Sequence, residues 1–168
     1  SLRNKNRYPN QELRKRYKEP ERMQTFIDKC LLIADCCIML RDNSKDGVEY
    51  SYILPADYAG LDNEYSFLDE LRPQLYFCKR QDGTGTNYYL LESFETTLTR
   101  YQLRKRLKDY VDFLDEWNDA NKPRPVALFA CATIADLLYV KRRVKQYIDD
   151  KDIDVQIRVT TLDKIKAS

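Results

Sequence analysis

Between Pro125 and Thr133 the chain runs through an unbroken apolar stretch, Val126-Ala127-Leu128-Phe129-Ala130-Cys131-Ala132. A strand without polar alternation has no face to give to water, so it belongs inside a sheet covered on both sides, as parallel strands are. Helical periodicity follows from about Ile134 to Tyr147, and a β-rich run from Val155 to Thr160 comes after it. Strand, helix and strand at this spacing predict a right-handed parallel crossover. The rest of the fold has to be built around that unit.

Upstream, Met23, Phe26, Ile27, Cys30, Leu31, Ala34, Cys37 and Ile38 recur at threes and fours, which predicts a first helix over Arg22 to Arg41 with these residues on its buried face. The turn formers Asp42 to Gly47 precede a strand over Val48 to Leu54, and Ala56 to Arg72 reads as an acidic loop with a brief helix. Gln74 to Arg80 and Tyr88 to Glu95 then form a hairpin through Gln81 to Asn87, a loop long enough to predict a mobile tip. A second long helix spans Leu98 to Trp117, with Leu103, Leu107, Tyr110, Val111 and Leu114 on one side. Its bases crowd the N-terminal half and its acids, Asp109 to Asp119, the C-terminal end. That arrangement opposes the helix macrodipole, so something beyond local preference set it. The predicted order, α-β-β-β-α-β-α-β, describes an α/β fold with one mixed central β-sheet flanked by helices.

The chain divides into a basic linker or arm, residues 1–21, broken by Pro9 and Pro20, and a single α/β domain, residues 22–168. The start at Ser1 reads as the edge of a longer protein. With 29 basic and 27 acidic residues the net charge is +2, which indicates neither a polycationic tail nor an acidic solvating chain. No apolar run reaches the ~18 residues of a membrane span, so no membrane partner is expected. Five cysteines without CxxC spacing predict free thiols in a reducing cytoplasm, with Cys30 and Cys37 buried on the first helix. Histidine is absent, which removes Ser-His-Asp and Cys-His nucleophile systems and histidine metal sites. No cofactor is expected, and Mg²⁺ enters only for an active nuclease.

The predicted element order is that of restriction-endonuclease-like nucleases. Several stretches resemble the replication-relaxation family of plasmid and conjugative-element proteins: Ala34-Asp35-Cys36-Cys37-Ile38-Met39-Leu40, Leu71-Arg72-Pro73-Gln74-Leu75-Tyr76-Phe77, Tyr88-Tyr89-Leu90-Leu91-Glu92 and Arg106-Leu107-Lys108-Asp109-Tyr110. The resemblance runs from about Arg22 to the end and implies a restriction-endonuclease-like core. It also implies a DNA-processing accessory role with a relaxase or replication protein as partner. A nuclease of this fold holds Mg²⁺ on an acid after the Pro and another in the next strand, with a Lys two residues on. Those slots here hold Gln74, Glu92 and Phe94, so only Glu92 matches, and the resemblance implies a vestigial cleft with no metal. A rearranged site would have to draw on Asp35, Glu95 and Lys79.

Arg100, Arg104 and Lys108 recur every four residues on one helical face, with Arg106 nearby, and Arg14-Lys15-Arg16 lies in the arm. These are the candidate phosphate contacts for DNA. Lys141-Arg142-Arg143 and Lys145 extend that surface only if both helices lie on one side of the sheet. Three functions follow as expectations. The first is a DNA-binding accessory protein with a pseudo-nuclease cleft. The second is an Mg²⁺-dependent endonuclease with a rearranged site, and the third is an interaction or homo-oligomerisation module using the sheet edge or the Asp109 to Asp119 segment.

Overall fold

The computed structural model describes residues 24–61, 65–94, 98–119 and 122–166. The chain divides into two compact units, residues 1–34 and 35–168. Of the first unit the described part is residues 24–34, which begin the helix α1, Gln24–Asp42. The basic arm, with Arg14, Lys15 and Arg16, lies outside the described residues, as do Met23 and Glu95.

The second unit is built on a five-stranded mixed sheet flanked by helices. Its strands are β1 (Val48–Ile53), β2 (Leu75–Gln81), β3 (Gly85–Phe94), β4 (Val126–Cys131) and β5 (Ile157–Thr161). A 3-10 turn, Tyr58–Gly60, and helix α2, Ser66–Leu71, follow β1. Helices α3 (Arg100–Asp115) and α4 (Ile134–Lys151) connect the last three strands, and α5, Leu162–Lys166, continues directly from β5. The strand order is β1-β2-β3-β4-β5, antiparallel for the first two pairings and parallel for the last two. The apolar run is therefore the central parallel strand β4, and four of its six residues are fully buried. The α5 turn was not predicted.

Alternation along β3 and β4 separates two faces. Leu90, Phe94, Ala127, Phe129 and Cys131 join the main core with Leu103, Leu107, Tyr110 and Leu114 of α3 and Val140 and Val144 of α4. Leu91, Phe77 and Leu128 lie on the other face and line a cavity of about 170 Å³ with Cys36, Met39 and Leu40 of α1. Two parallel crossovers stepping the same way across the sheet place α3 and α4 on one side. The helices pack with their N-termini together, since Arg100 bonds Asp136 at 3.0 Å at one end and Lys151 bonds Asp112 and Asp115 at 2.9 Å at the other. Both starts are capped: Thr99 and Gln102 form a reciprocal capping box, and Thr133 accepts from the Asp136 amide.

Three expectations need correction. The hairpin loop is short: β3 begins at Gly85, paired with Gln81, so only Asp82, Gly83 and Thr84 form the turn. Positive φ at Gly83 and Gly85 makes this possible, and the Asp82 amide is anchored on the Gly47 carbonyl. The buried face of α1 matches the predicted one only in part. Cys37 is buried as expected, but Ile27, Leu31 and Ile38 are 40%, 58% and 48% exposed, and Leu32 and Cys36 are buried instead. Cys30, expected to be buried, is exposed. Apolar residues occur on nearly every side of α1, so its periodicity picks out no single face.

Candidate functional site

The polar centre of the core forms where α2 turns into β2. Arg72 adopts a left-handed conformation (φ 49°) to end α2, and Pro73 follows without an amide proton, leaving the carbonyls of Leu71, Arg72 and Pro73 outside any helix or ladder. Side chains satisfy all three. Arg106 on α3 donates from Nη1 to Leu71 O at 2.7 Å and from Nη2 to Arg72 O at 2.9 Å, and Tyr58 donates to Pro73 O at 3.0 Å.

The same guanidinium reaches Glu92 on β3, with Nη2 2.8 Å from Oε2. Tyr110, one turn after Arg106, donates its hydroxyl to the same oxygen at 2.8 Å. Gln74 approaches the other carboxylate oxygen at 3.4 Å and clamps Ser93, accepting from its amide at 3.1 Å and its hydroxyl at 2.6 Å and donating to its carbonyl at 3.2 Å. Glu92 is 8% exposed and Tyr110 fully buried. A buried carboxylate is tolerated only when paired and hydrogen-bonded, and here it has both.

Electrostatics fixes the protonation of its neighbours. Burial pushes the Tyr110 phenol well up, and the negative charge of Glu92 pushes it further, so it remains a proton donor. Tyr58 is raised for the same two reasons in the same order. Burial pulls Arg106 down, but its hydrogen bond to Glu92 and that residue's charge outweigh burial, so it stays charged. A fixed cation and a fixed phenol both donate to one carboxylate, and neither is free to take up or release a proton near neutral pH. The arrangement ties α3 to β3 and to the α2–β2 turn.

The sequence candidates separate accordingly. Glu92 and Gln74 do meet. Lys79 stands five residues farther along β2, paired in register with Asn87, about 16 Å from Gln74 at ~3.3 Å per residue. Asp35 is exposed on α1, next to Cys36, which lines the cavity on the opposite sheet face. Phe94, in the slot where a nuclease carries Lys, packs on Phe129 with ring centroids 5.2 Å apart. Among the described residues no group of three His, Cys, Asp or Glu is placed to hold a metal ion, and the cation next to Glu92 is Arg106. Sequence reasoning assigned Arg106 to phosphate and missed Tyr110 as a partner of Glu92 and Tyr58 as the donor to the Pro73 carbonyl. The available signal was that Arg106 lies three residues after Leu103 and four before Tyr110, within the buried stripe of α3.

The remaining basic candidates face outward. Arg100, Arg104 and Lys108 are exposed, as are Lys141, Arg142 and Lys145 of α4. The two runs converge on one ring: the guanidinium of Arg100 lies 4.3 Å from the Tyr139 centroid and that of Arg143 5.6 Å from it. Arg104 folds back to donate to the Arg100 carbonyl at 3.2 Å, and Tyr101 beside them is 70% exposed. Arg100 is part-neutralised by Asp136, and Lys108 lies 4.0 Å from Asp112.

No helix among the described residues is long and apolar enough to cross a membrane. Comparison of the chain with protein-family models, with curated proteins and with solved structures gives no match.

Proposed function

We propose that this chain is a DNA-binding accessory domain of plasmid or conjugative-element replication, mobilisation or transfer. In this reading its restriction-endonuclease-like core carries a closed, non-cleaving site. The observation that carries it is the meeting of Arg100 and Arg143, from two different helices, over Tyr139. Helices α3 and α4 lie side by side, so their basic runs form one surface with an exposed tyrosine, the combination that follows a phosphate backbone and offers a ring to a base. The non-cleaving part rests on Glu92, the single acid matching the nuclease pattern, whose Oε2 already accepts from Arg106 and Tyr110. A divalent ion there would meet a guanidinium where it needs a second carboxylate.

The test is a fluorescence-anisotropy titration of labelled single- and double-stranded DNA at low and physiological salt, with and without Mg²⁺. Saturable, salt-sensitive binding indifferent to Mg²⁺ is expected. Absence of binding at low salt overturns the DNA reading. Mg²⁺-dependent nicking that disappears in Glu92→Ala replaces it with the endonuclease reading.

A further inference from the structure

Helices α2 and α3 enclose a groove of about 640 Å³, a size that suits a ligand-binding cleft. Its floor is aromatic. Phe67 meets Trp117 edge-on at 5.1 Å between centroids, Trp117 meets Phe113 at 5.6 Å, and Phe113 lies 6.0 Å from Phe67. Its walls are mainly anionic: Glu70 of α2 and Asp109, Asp112 and Glu116 of α3 line it, with Arg106 among them and within electrostatic reach of Asp109. These carboxylates account for the part of the reversed charge order of α3 that packing leaves over. Asp112 and Asp115 hold Lys151, but Glu70 and Glu116 make no side-chain hydrogen bond or ion pair among the described residues. An acid in the last turn of a helix is unfavourable unless a cation offsets it.

The spacing selects the kind of cation. Asp109, Asp112 and Glu116 lie along one side of α3 and span roughly 10 Å at ~1.5 Å per residue, too far to converge on one ion. They suit a ligand with several positive charges along its length. The floor of flat rings selects further, because a planar guanidinium stacks on an aromatic face where an ammonium has only its point charge to offer. We propose that this groove binds an arginine-rich peptide segment of a partner protein, its guanidinium groups stacked on Phe67, Phe113 and Trp117 and paired with Glu70, Asp109 and Glu116. The surface is separate from the Arg100–Tyr139–Arg143 patch, so the proposal stands or falls independently of DNA binding.

Trp117 is the single tryptophan of the chain, so its emission reports the groove directly. The experiment titrates the protein with hexa-arginine, hexa-lysine and spermidine at low and at ~0.3 M salt, a range over which screening shortens steeply, and follows that emission. A saturable change with hexa-arginine is expected, at least tenfold tighter than with spermidine and tighter than with hexa-lysine. It should weaken at least tenfold in Glu70→Gln/Asp109→Asn/Glu116→Gln. These residues are exposed, so the variant should keep its unfolding midpoint, and Glu116→Gln alone gives a second reading, with a smaller weakening expected. No saturable change with hexa-arginine, equal binding by the triple variant, or spermidine binding as tightly as the peptide each overturns the proposal.

Discussion

Arg106 Nη2 and Glu92 Oε2 are 2.8 Å apart, and the same guanidinium caps the two carbonyls that end α2. Removing the cation leaves a buried carboxylate unpaired, so Arg106→Leu is expected to lose about 3–5 kcal/mol in urea unfolding. Glu92→Gln keeps an acceptor for Tyr110 and removes the buried charge, so its cost should be smaller. Combining the two should cost less than their sum, and additive losses would mean that the pair is not coupled.

A carboxylate at position 74 does not by itself make a metal site. Gln74→Asp shortens the side chain, breaks the clamp on Ser93 and adds a negative charge beside Glu92, and is expected to destabilise by about 1–3 kcal/mol. Thermal melting with and without Mg²⁺ checks this, because a Mg²⁺-dependent rise in Tm would show that a site had formed despite Arg106.

The basic patch predicts a slope. Each phosphate that a side chain ceases to neutralise lowers the dependence of log K on log salt by about 0.9 for duplex DNA, so Arg100→Ala with Arg143→Ala should reduce it by about 2. Arg106→Lys should leave the slope unchanged, because that side chain faces Glu92.

Alkaline stability should follow the buried thiols. Burial, then the charges of Cys37 and Asp35, pushes Cys36 up to about 11, and burial followed by Asp136 pushes Cys131 up to about 12, from an ordinary 9.0. The folded state thus holds these protons more tightly than the unfolded chain. Their contribution is complete below pH 9 and is lost as pH rises through about 11 and 12. Urea midpoints measured from pH 8 to 12 should fall only in the upper part of that range. Iodoacetamide at pH 8 should label exposed Cys30 well before Cys36, Cys37 or Cys131.

Two glycines share a positive φ but not a neighbourhood. A Cβ on Gly47 (φ 78°) would come within 3.3 Å of Asp82 Oδ2, whereas one on Gly83 (φ 76°) meets nothing within 4 Å. Gly83→Ala should cost about 1 kcal/mol for backbone strain alone, and Gly47→Ala more, in the same denaturation assay.

How much could be read beforehand depended on whether a signal was local. The run Val126 to Cys131, the two capped helices and the antiparallel hairpin were legible because adjacent residues encode them. The buried side of α1 was not, because Ile27, Leu31 and Ile38 on one side match Leu32 and Cys36 on another in apolar character. Glu92 and Gln74 were found through a resemblance. The Glu92 partners Arg106 and Tyr110 come from another element, 14 and 18 residues away. Arg106 shows the difficulty most directly: its charge suggested solvent, while its position among Leu103, Leu107 and Tyr110 assigned it to the interior.

Across the sheet the strands stand in the order in which they occur along the chain. No strand has to be inserted between two already joined, and no closing segment must cross back over finished structure. During synthesis each new strand can be laid against the edge of the previous one, so assembly proceeds by accretion, with β5 and α5 the last leaf added. Shortening from the C-terminus should therefore strip the sheet from one side, and the Glu92–Arg106 tie, two strands inward, outlasts β5, α4 and β4 and goes only with α3.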